Sequence, residues 1–310
     1  MEVCQNCSAG YLKPTGQVVK LRDVLLRWEN EVSISFPEEV LSSYSDVIDT
    51  PIVLHTCSNC DFSPFLPAVA GNGSFYSAIT SAEGGYYVGD KWEFRRAIKD
   101  IERYRCKRVL DFGCGSGEFL SRLQEHVDVD AYGFDFNPVG SNAAREKGYQ
   151  LIHEFDAANL PGAPFDAITM FQVLEHLSSP FETLEKLKSL LRPGGLFIVS
   201  VPDCSGPIRH FENALTELPP HHVTRWYGDS LRTCFTQRQF DVIDIKSEPL
   251  PNYLWDSYLP VMLTKDLLPS AVGGFINRIK VTRTLISVLQ ALRVKSLPIR
   301  GHTLYGAFRN

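Results

Sequence analysis

No stretch of these 310 residues approaches the roughly 18 consecutive apolar residues that a membrane-spanning helix needs. The start, Met1-Glu2-Val3-Cys4, lacks a basic and apolar leader, so a cytoplasmic location is expected. No internal repeat or low-complexity tract is apparent, and the chain reads as one globular core with a satellite unit. Positive charge is scarce near the N-terminus. The net charge is −5, and residues 1–70 carry nine acids against four Lys and Arg. A phosphate-binding surface would need the opposite balance. A dinucleotide fingerprint is missing too. G-x-G-x-x-G would place its third glycine one position beyond Gly117, where Glu118 stands.

What is present is Val109-Leu110-Asp111-Phe112-Gly113-Cys114-Gly115-Ser116-Gly117-Glu118, a buried-strand pattern running into alternating glycines and then a helix. Glycines let the backbone approach a ligand closely, and the helix start aims free amides at it. Asp111, just before the loop, suits a cationic ligand better than a pyrophosphate. S-adenosylmethionine carries a sulfonium and an ammonium and no phosphate. A second strand, Ala131 to Phe134, ends in Asp135-Phe136, where a carboxylate can accept both ribose hydroxyls. Asp156-Ala157 closes a third segment and can meet an adenine edge. Phe165 to Gln172 reads as a fourth strand, continued by Val173-Leu174-Glu175-His176-Leu177. A helix bearing Leu184, Leu187, Leu190 and Leu191 precedes Arg192-Pro193-Gly194-Gly195, and Leu196 to Pro202 is apolar on both faces, as in a parallel strand.

Residues Val109 to Asp244 resemble the class I S-adenosylmethionine-dependent methyltransferases, especially those with a Val-Leu-Glu-His segment and a Leu-Arg-Pro-Gly-Gly turn. The resemblance implies an α/β fold, a doubly wound seven-stranded Rossmann-like sheet. By it, Asp111, Gly113, Cys114, Gly115 and Gly117 surround the methionine end, Asp135 and Phe136 the ribose, and Asp156 with Ala157 the adenine, with Gln172 bordering the same cofactor.

Cys4-Gln5-Asn6-Cys7 and Cys57-Ser58-Asn59-Cys60 are two C-x-x-C knuckles, enough for a tetrahedral structural zinc site of four thiolates. Strands around Ile52 to Thr56 and Phe62 to Leu66 would form the ribbon carrying the second knuckle. The stretch between the knuckles reads as partly strand-like at Val18 to Leu21 and Glu31 to Ile34. A zinc ribbon ahead of this core resembles enzymes acting on sugars and small metabolites, or zinc-bearing ribosomal RNA methyltransferases. The acidic ribbon favours the first group over a nucleic-acid partner.

Gly84-Gly85-Tyr86-Tyr87 is a candidate lid in which Tyr86 meets the cofactor. A helix from Trp92 to Ile101 should pack under the first strand. Pro219-Pro220-His221-His222 leaves the fifth strand toward the crevice, and histidine suits a base near neutral pH. His222 and His221 are therefore the first candidates for the base, with His176 and Glu175 next. Gly228 or Asp229 is expected to cap the following helix. Strands six (Phe240 to Ile245) and seven (His302 to Phe308) should be separated by about 55 residues. That insertion holds an aromatic wall with Tyr253, Trp255 and Tyr258. It also holds a basic amphipathic helix with Phe275, Ile276, Ile279, Leu285, Ile286, Leu289 and Leu292 near one face, open to packing, a lipid surface or a lipid-linked substrate.

The organisation read from sequence is a zinc ribbon (1–70), a linker, lid and helix (71–104), a cofactor-binding core (105–249), an insertion between strands six and seven (250–300) and a final core strand (301–310). The expected activity is methyl transfer to a hydroxyl of a sugar, glycan or nucleotide-linked metabolite. RNA methylation and an inactive scaffold are the alternatives.

Overall fold

The computed structural model describes residues 2–82, 91–152, 163–262, 265–266, 283–290, 292 and 294–310. The N-terminal unit opens with β1 (Leu12–Val19) and α1 (Leu21–Val32). The strands read at Val18 to Leu21 and Glu31 to Ile34 are thereby corrected: β1 stops at Val19, and Glu31-Val32 closes a helix. Leu21, Val24, Leu25 and Trp28 are buried at the i, i+3, i+4, i+7 spacing that only a helix can turn to one side. Ser33 then adopts a left-handed φ of 60° and ends it. After α2 (Glu38–Ser43), β2 (Ile52–Cys57) and β3 (Ser63–Leu66) form the expected hairpin, and α3 (Gly73–Ala82) leads to the core.

In α4 (Trp92–Arg103), Phe94, Ala97, Ile98 and Ile101 are buried against β4 (Arg108–Phe112) and its neighbours. There follow α5 (Glu118–His126), β5 (Asp130–Phe134), α6 (Pro138–Glu146), β6 (Gln150–Leu151) and β7 (Phe165–Phe171). The chain continues through α7 (Pro180–Ser189), β8 (Leu191–Pro202), β9 (Thr224–Arg225) and α8 (Gly228–Gln237). It closes with β10 (Asp241–Pro251), α9 (Trp255–Met262) and β11 (Ser296–Arg309).

The main sheet has seven strands in the order β10-β11-β8-β7-β4-β5-β6, with β11 antiparallel to both neighbours. Strands β8, β7, β4, β5 and β6 run parallel. The chain leaves β4 toward β5 on one side and returns to β7 on the other. Such a switch point opens a crevice at the carboxyl ends of the strands.

A second sheet has the order β1-β2-β3-β9. Its fourth strand comes from the segment just after His221-His222, through the pairs Ser63↔Arg225 and Pro64↔Thr224. Phe62 packs its ring on Trp226 and Phe181 at centroid distances of 4.8 and 5.2 Å. The N-terminal unit is thus hydrogen-bonded into the loop region of the core.

Several local expectations change. Leu191 begins β8, with Leu190 capping α7, because Leu191 pairs with Phe165 in the sheet. The residue ahead of α8 is Tyr227, whose N–H donates to Ser230 Oγ at 2.8 Å; neither Gly228 nor Asp229 caps the helix. Strands six and seven, here β10 and β11, extend into the insertion and pair as far as Pro251↔Ser296. Of the amphipathic helix, residues 283–290 are described and helical, and Phe275, Ile276 and Ile279 lie outside the described residues. Ile286 is buried beside Trp255 and Leu259, whereas Leu285 and Leu292 are exposed. Among the described residues no helix is long and apolar enough to cross a membrane.

Candidate functional site

A cavity of about 520 Å³ opens at the ends of β4, β5 and β7. Asp111, Gly113, Cys114 and Gly115 line one side, with Asp135 and Phe136 beside them. Gln172, Glu175, His176, His221 and His222 line the other. Of the residues named as cofactor contacts, Asp111, Gly113, Cys114, Gly115, Asp135, Phe136 and Gln172 share one cavity with the four candidate bases. Gly117 is not among the lining residues. It precedes α5 with φ +81°, and a Cβ there would meet the Tyr149 ring at 2.7 Å, so it shapes the turn. Asp156, Ala157, Tyr86 and Tyr87 lie outside the described residues.

The loop after β4 is held by backbone and carboxylate together. Gly113 N–H and Cys114 N–H both donate to the Phe134 carbonyl, at 2.7 and 3.0 Å. Asp135 accepts from Gly115 N–H through Oδ2 and from Asn137 N–H through Oδ1, each at 2.7 Å. Burial raises the Asp135 carboxyl, and those two N–H donors oppose the rise. Asp111 is fully buried and accepts from Thr169 Oγ1 at 2.7 Å. Burial pushes its carboxyl up to about 7 and Asp135 adds to this, with Thr169 and Lys91 opposing. Lys91 is a cation on the cavity wall that sequence reasoning passed over as helix flank. Its only signal was a lone base directly before an apolar-periodic segment.

Across the cavity three imidazoles cluster. Ring centroids are 4.7 Å apart for His176 and His221, 4.8 Å for His176 and His222, and 4.6 Å for His221 and His222. His176 Nδ1 lies 2.6 Å from the His221 carbonyl, and His221 Nδ1 lies 2.9 Å from the Thr216 carbonyl. His222 Nδ1 is 3.3 Å from Glu217 Oε2. Burial holds His176 down at about 3 and His221 well below the ordinary imidazole range. Burial acts on His222 in the same direction, but Glu217 and Glu175 outweigh it and leave His222 raised. Glu217 is correspondingly lowered, burial notwithstanding. Glu175 is buried and pushed up to about 7 by that burial.

Glu217 is the partner that sequence reading missed. It sits five residues before His222, at the end of a short 3-10 turn (Leu215–Glu217), and only the fold brings the two together. The histidine loop is fixed from both units. Val223 N–H donates to the Glu175 carbonyl and Phe65 N–H to the Val223 carbonyl, both at 2.9 Å, while Gly71 N–H donates to the Pro220 carbonyl at 2.6 Å.

The four knuckle cysteines are buried together, their sulfurs all within 4.8 Å of one another. Cys4 and Cys60 sulfurs are 3.8 Å apart and Cys7 and Cys57 sulfurs 3.6 Å. Tetrahedral zinc with bonds of about 2.3 Å sets its sulfurs about 3.8 Å apart, so these spacings fit. All four thiols are free, and these contacts are far longer than a disulfide bond. Gly10 N–H, Asn59 N–H and Asn6 Nδ2 donate to the Cys7, Cys57 and Cys60 sulfurs. Such donors favour thiolate. Cys60 is lowered to about 5, first by its hydrogen bond with Cys4.

Residues 90–245 match the methyltransferase-domain family, half of the chain. A ubiquinone biosynthesis O-methyltransferase from Roseobacter denitrificans is 30% identical over 142 residues, 43% of this chain and 55% of that protein. A tRNA U34 carboxymethyltransferase from Idiomarina loihiensis is 32% identical over 119 residues, 35% of this chain and 36% of that protein. The chain thus spans about half, or less, of the length of these curated relatives. A solved SAM-dependent methyltransferase from Archaeoglobus fulgidus aligns with a TM-score of 0.45 at 20% identity, covering 70% of this chain and 94% of that one. The family match over residues 90–245 makes this chain a member of the methyltransferase-domain family, and its seven-stranded sheet is the Rossmann-like α/β fold of class I.

Proposed function

We propose that this protein transfers a methyl group from S-adenosylmethionine to a hydroxyl of a small polar acceptor, a sugar, glycan or nucleotide-linked metabolite. The observation that carries this reading is the single cavity shared by the glycine loop with its two acids and the buried histidine–glutamate cluster. In this reading Asp135, bonded to the loop, accepts ribose hydroxyls, and Asp111 faces the cationic end of the cofactor. Asp156 and Ala157 would contact adenine and Tyr86 would close over it. The acceptor oxygen attacks the S-methyl carbon as the carbon–sulfur bond breaks, leaving S-adenosylhomocysteine. The acceptor's proton passes into the cluster, where His222, backed by Glu217, can hold it. Water exclusion is built in, since His221, His222 and Glu175 are all buried.

The four cysteines fit a structural zinc ion that fastens the ribbon. Asn6 extends that fastening to the core by donating from Nδ2 to the Ser230 carbonyl at 2.9 Å. The acidic character of residues 1–70 counts against a phosphate-rich RNA acceptor.

Methyl-labelled S-adenosylmethionine offered with a panel of sugars, nucleotide sugars and phenols should place label on an acceptor oxygen. His222→Ala should slow transfer by roughly a hundred- to ten-thousand-fold while cofactor affinity barely changes. A protein that binds no S-adenosylmethionine by calorimetry refutes the reading. Label found only on carbon or nitrogen refutes the hydroxyl.

A further inference from the structure

We propose that His176, His221 and His222 bind a divalent first-row transition-metal ion on the acceptor side of the cavity, with Glu175 as the carboxylate beside it. One ring nitrogen from each of the three lies within 4.8 Å of the others. An ion held at about 2.1 Å by three nitrogens sets them roughly 3.4 Å apart, so binding draws the rings closer together.

The hydrogen bonds prepare the rings for this. A backbone carbonyl only accepts, so Nδ1 of His176 and of His221 must each carry the proton that bonds to it. Nδ1 of His222 likewise donates to the Glu217 carboxylate. In a neutral imidazole with Nδ1 protonated, Nε2 keeps its lone pair. Metal-binding histidines characteristically show this arrangement, with the second nitrogen tied to a carbonyl or a carboxylate.

An independent observation comes from Glu175. Its side chain is 1% exposed, and neither carboxylate oxygen has a hydrogen-bond partner among the described residues. One oxygen stands 3.9 Å from His176 Nε2. A buried carboxylate left in that state needs a proton or a cation nearby. Glu217 faces His222 and Glu175 stands beside His176, so carboxylates flank two of the three rings. Imidazole with carboxylate is a donor set for zinc, cobalt, nickel or iron rather than magnesium.

The catalytic use of the ion rests on the methyl-transfer reading, and its binding does not. With the ion bound, His222 is a ligand and its Nε2 no longer takes a proton. An acceptor hydroxyl held by the ion would ionise more readily.

The test is a titration of the purified full chain, stripped of weakly held metal with a mild chelator, its bound metal counted by mass spectrometry. Added Co²⁺ should bind one equivalent beyond the cysteine cluster, giving visible ligand-field bands without a sulfur charge-transfer band. His176→Ala and His221→Ala should each weaken that equivalent by about a hundredfold or more, and Glu217→Gln, a milder change, by about tenfold. No uptake beyond the cysteines overturns the proposal, as does uptake unchanged in all three variants. If the alanine variants fail to fold by circular dichroism, wild type and Glu217→Gln decide it. Calorimetry with S-adenosylmethionine on the same samples separates the two readings: metal uptake without cofactor binding refutes only the methyl transfer.

Discussion

Replacing Asp135 with Asn tests the cofactor reading at its most constrained point. The carboxylate accepts Gly115 N–H and Asn137 N–H, one on each oxygen, at 2.7 Å. An Asn side chain has a single acceptor oxygen, so its NH₂ group must face one of those two donors. The variant therefore loses one charge-assisted bond, weakens another and sets donor against donor. It also loses negative charge where the ribose hydroxyls would bind. A hydrogen bond to a charged group contributes roughly 1.5–3 kcal/mol, so a combined loss of about 2–4 kcal/mol in cofactor binding is expected. That is a weakening of roughly 30- to 700-fold. Isothermal calorimetry with S-adenosylhomocysteine would measure it, alongside a urea unfolding curve to separate binding from stability. An affinity within about twofold of wild type, in a variant of unchanged stability, would show that Asp135 does not hold the cofactor. An equal loss in stability and in binding would show that its whole role is to brace Gly115.

Three further outcomes are expected. Gly113→Ala should destabilise the fold by about 2–5 kcal/mol in urea unfolding, because φ is +86° and the added Cβ would stand 2.3 Å from Val173 Cγ2; an unchanged midpoint contradicts that geometry. Asp111 is raised to about 7 in the fold, so its protonated form is the stable one there. Its contribution to stability is present below the ordinary carboxyl range and is lost as pH rises through about 7, whereas affinity for a cationic cofactor should rise roughly tenfold between about pH 6 and 8. Asp111→Asn should flatten both profiles, and a persisting slope would assign it to another group. Metal analysis should find one zinc on Cys4, Cys7, Cys57 and Cys60, and stripping it should raise hydrogen exchange in β3 and β9 together, since these strands pair; exchange confined to the N-terminal residues would mean the ribbon opens without disturbing the histidine loop.

The sheet was legible because its strands are locally coded. Val109-Leu110 and Leu196 to Val199 are apolar on both faces, and the glycines between β4 and α5 meet a backbone need that side chains cannot satisfy. The two knuckles were legible because thiolate spacing is itself the chemistry. Less legible was α1, where a helical period lay inside a segment whose valines also suit a strand, and tertiary burial of Leu21, Leu25 and Trp28 decided it. Glu217 could not be found from sequence, since its only mark is an ion pair made by a turn.

Sequence alone determined the residue types and their order: a glycine loop flanked by acids, four thiols in two knuckles, and two adjacent histidines after the fifth strand. Those are properties of neighbours in the chain, and local backbone chemistry expresses them directly. Which groups meet across the cavity was decided only by the tertiary structure. His176 leaves β7, His221 and His222 leave the segment after β8, and Glu217 lies in a short turn between them. The histidine loop is also tied to the N-terminal unit by β9 pairing with β3, a contact about 160 residues apart in the chain. A pairing of such long range carries no local pattern, because its stability comes from the surface that both units bury when they meet.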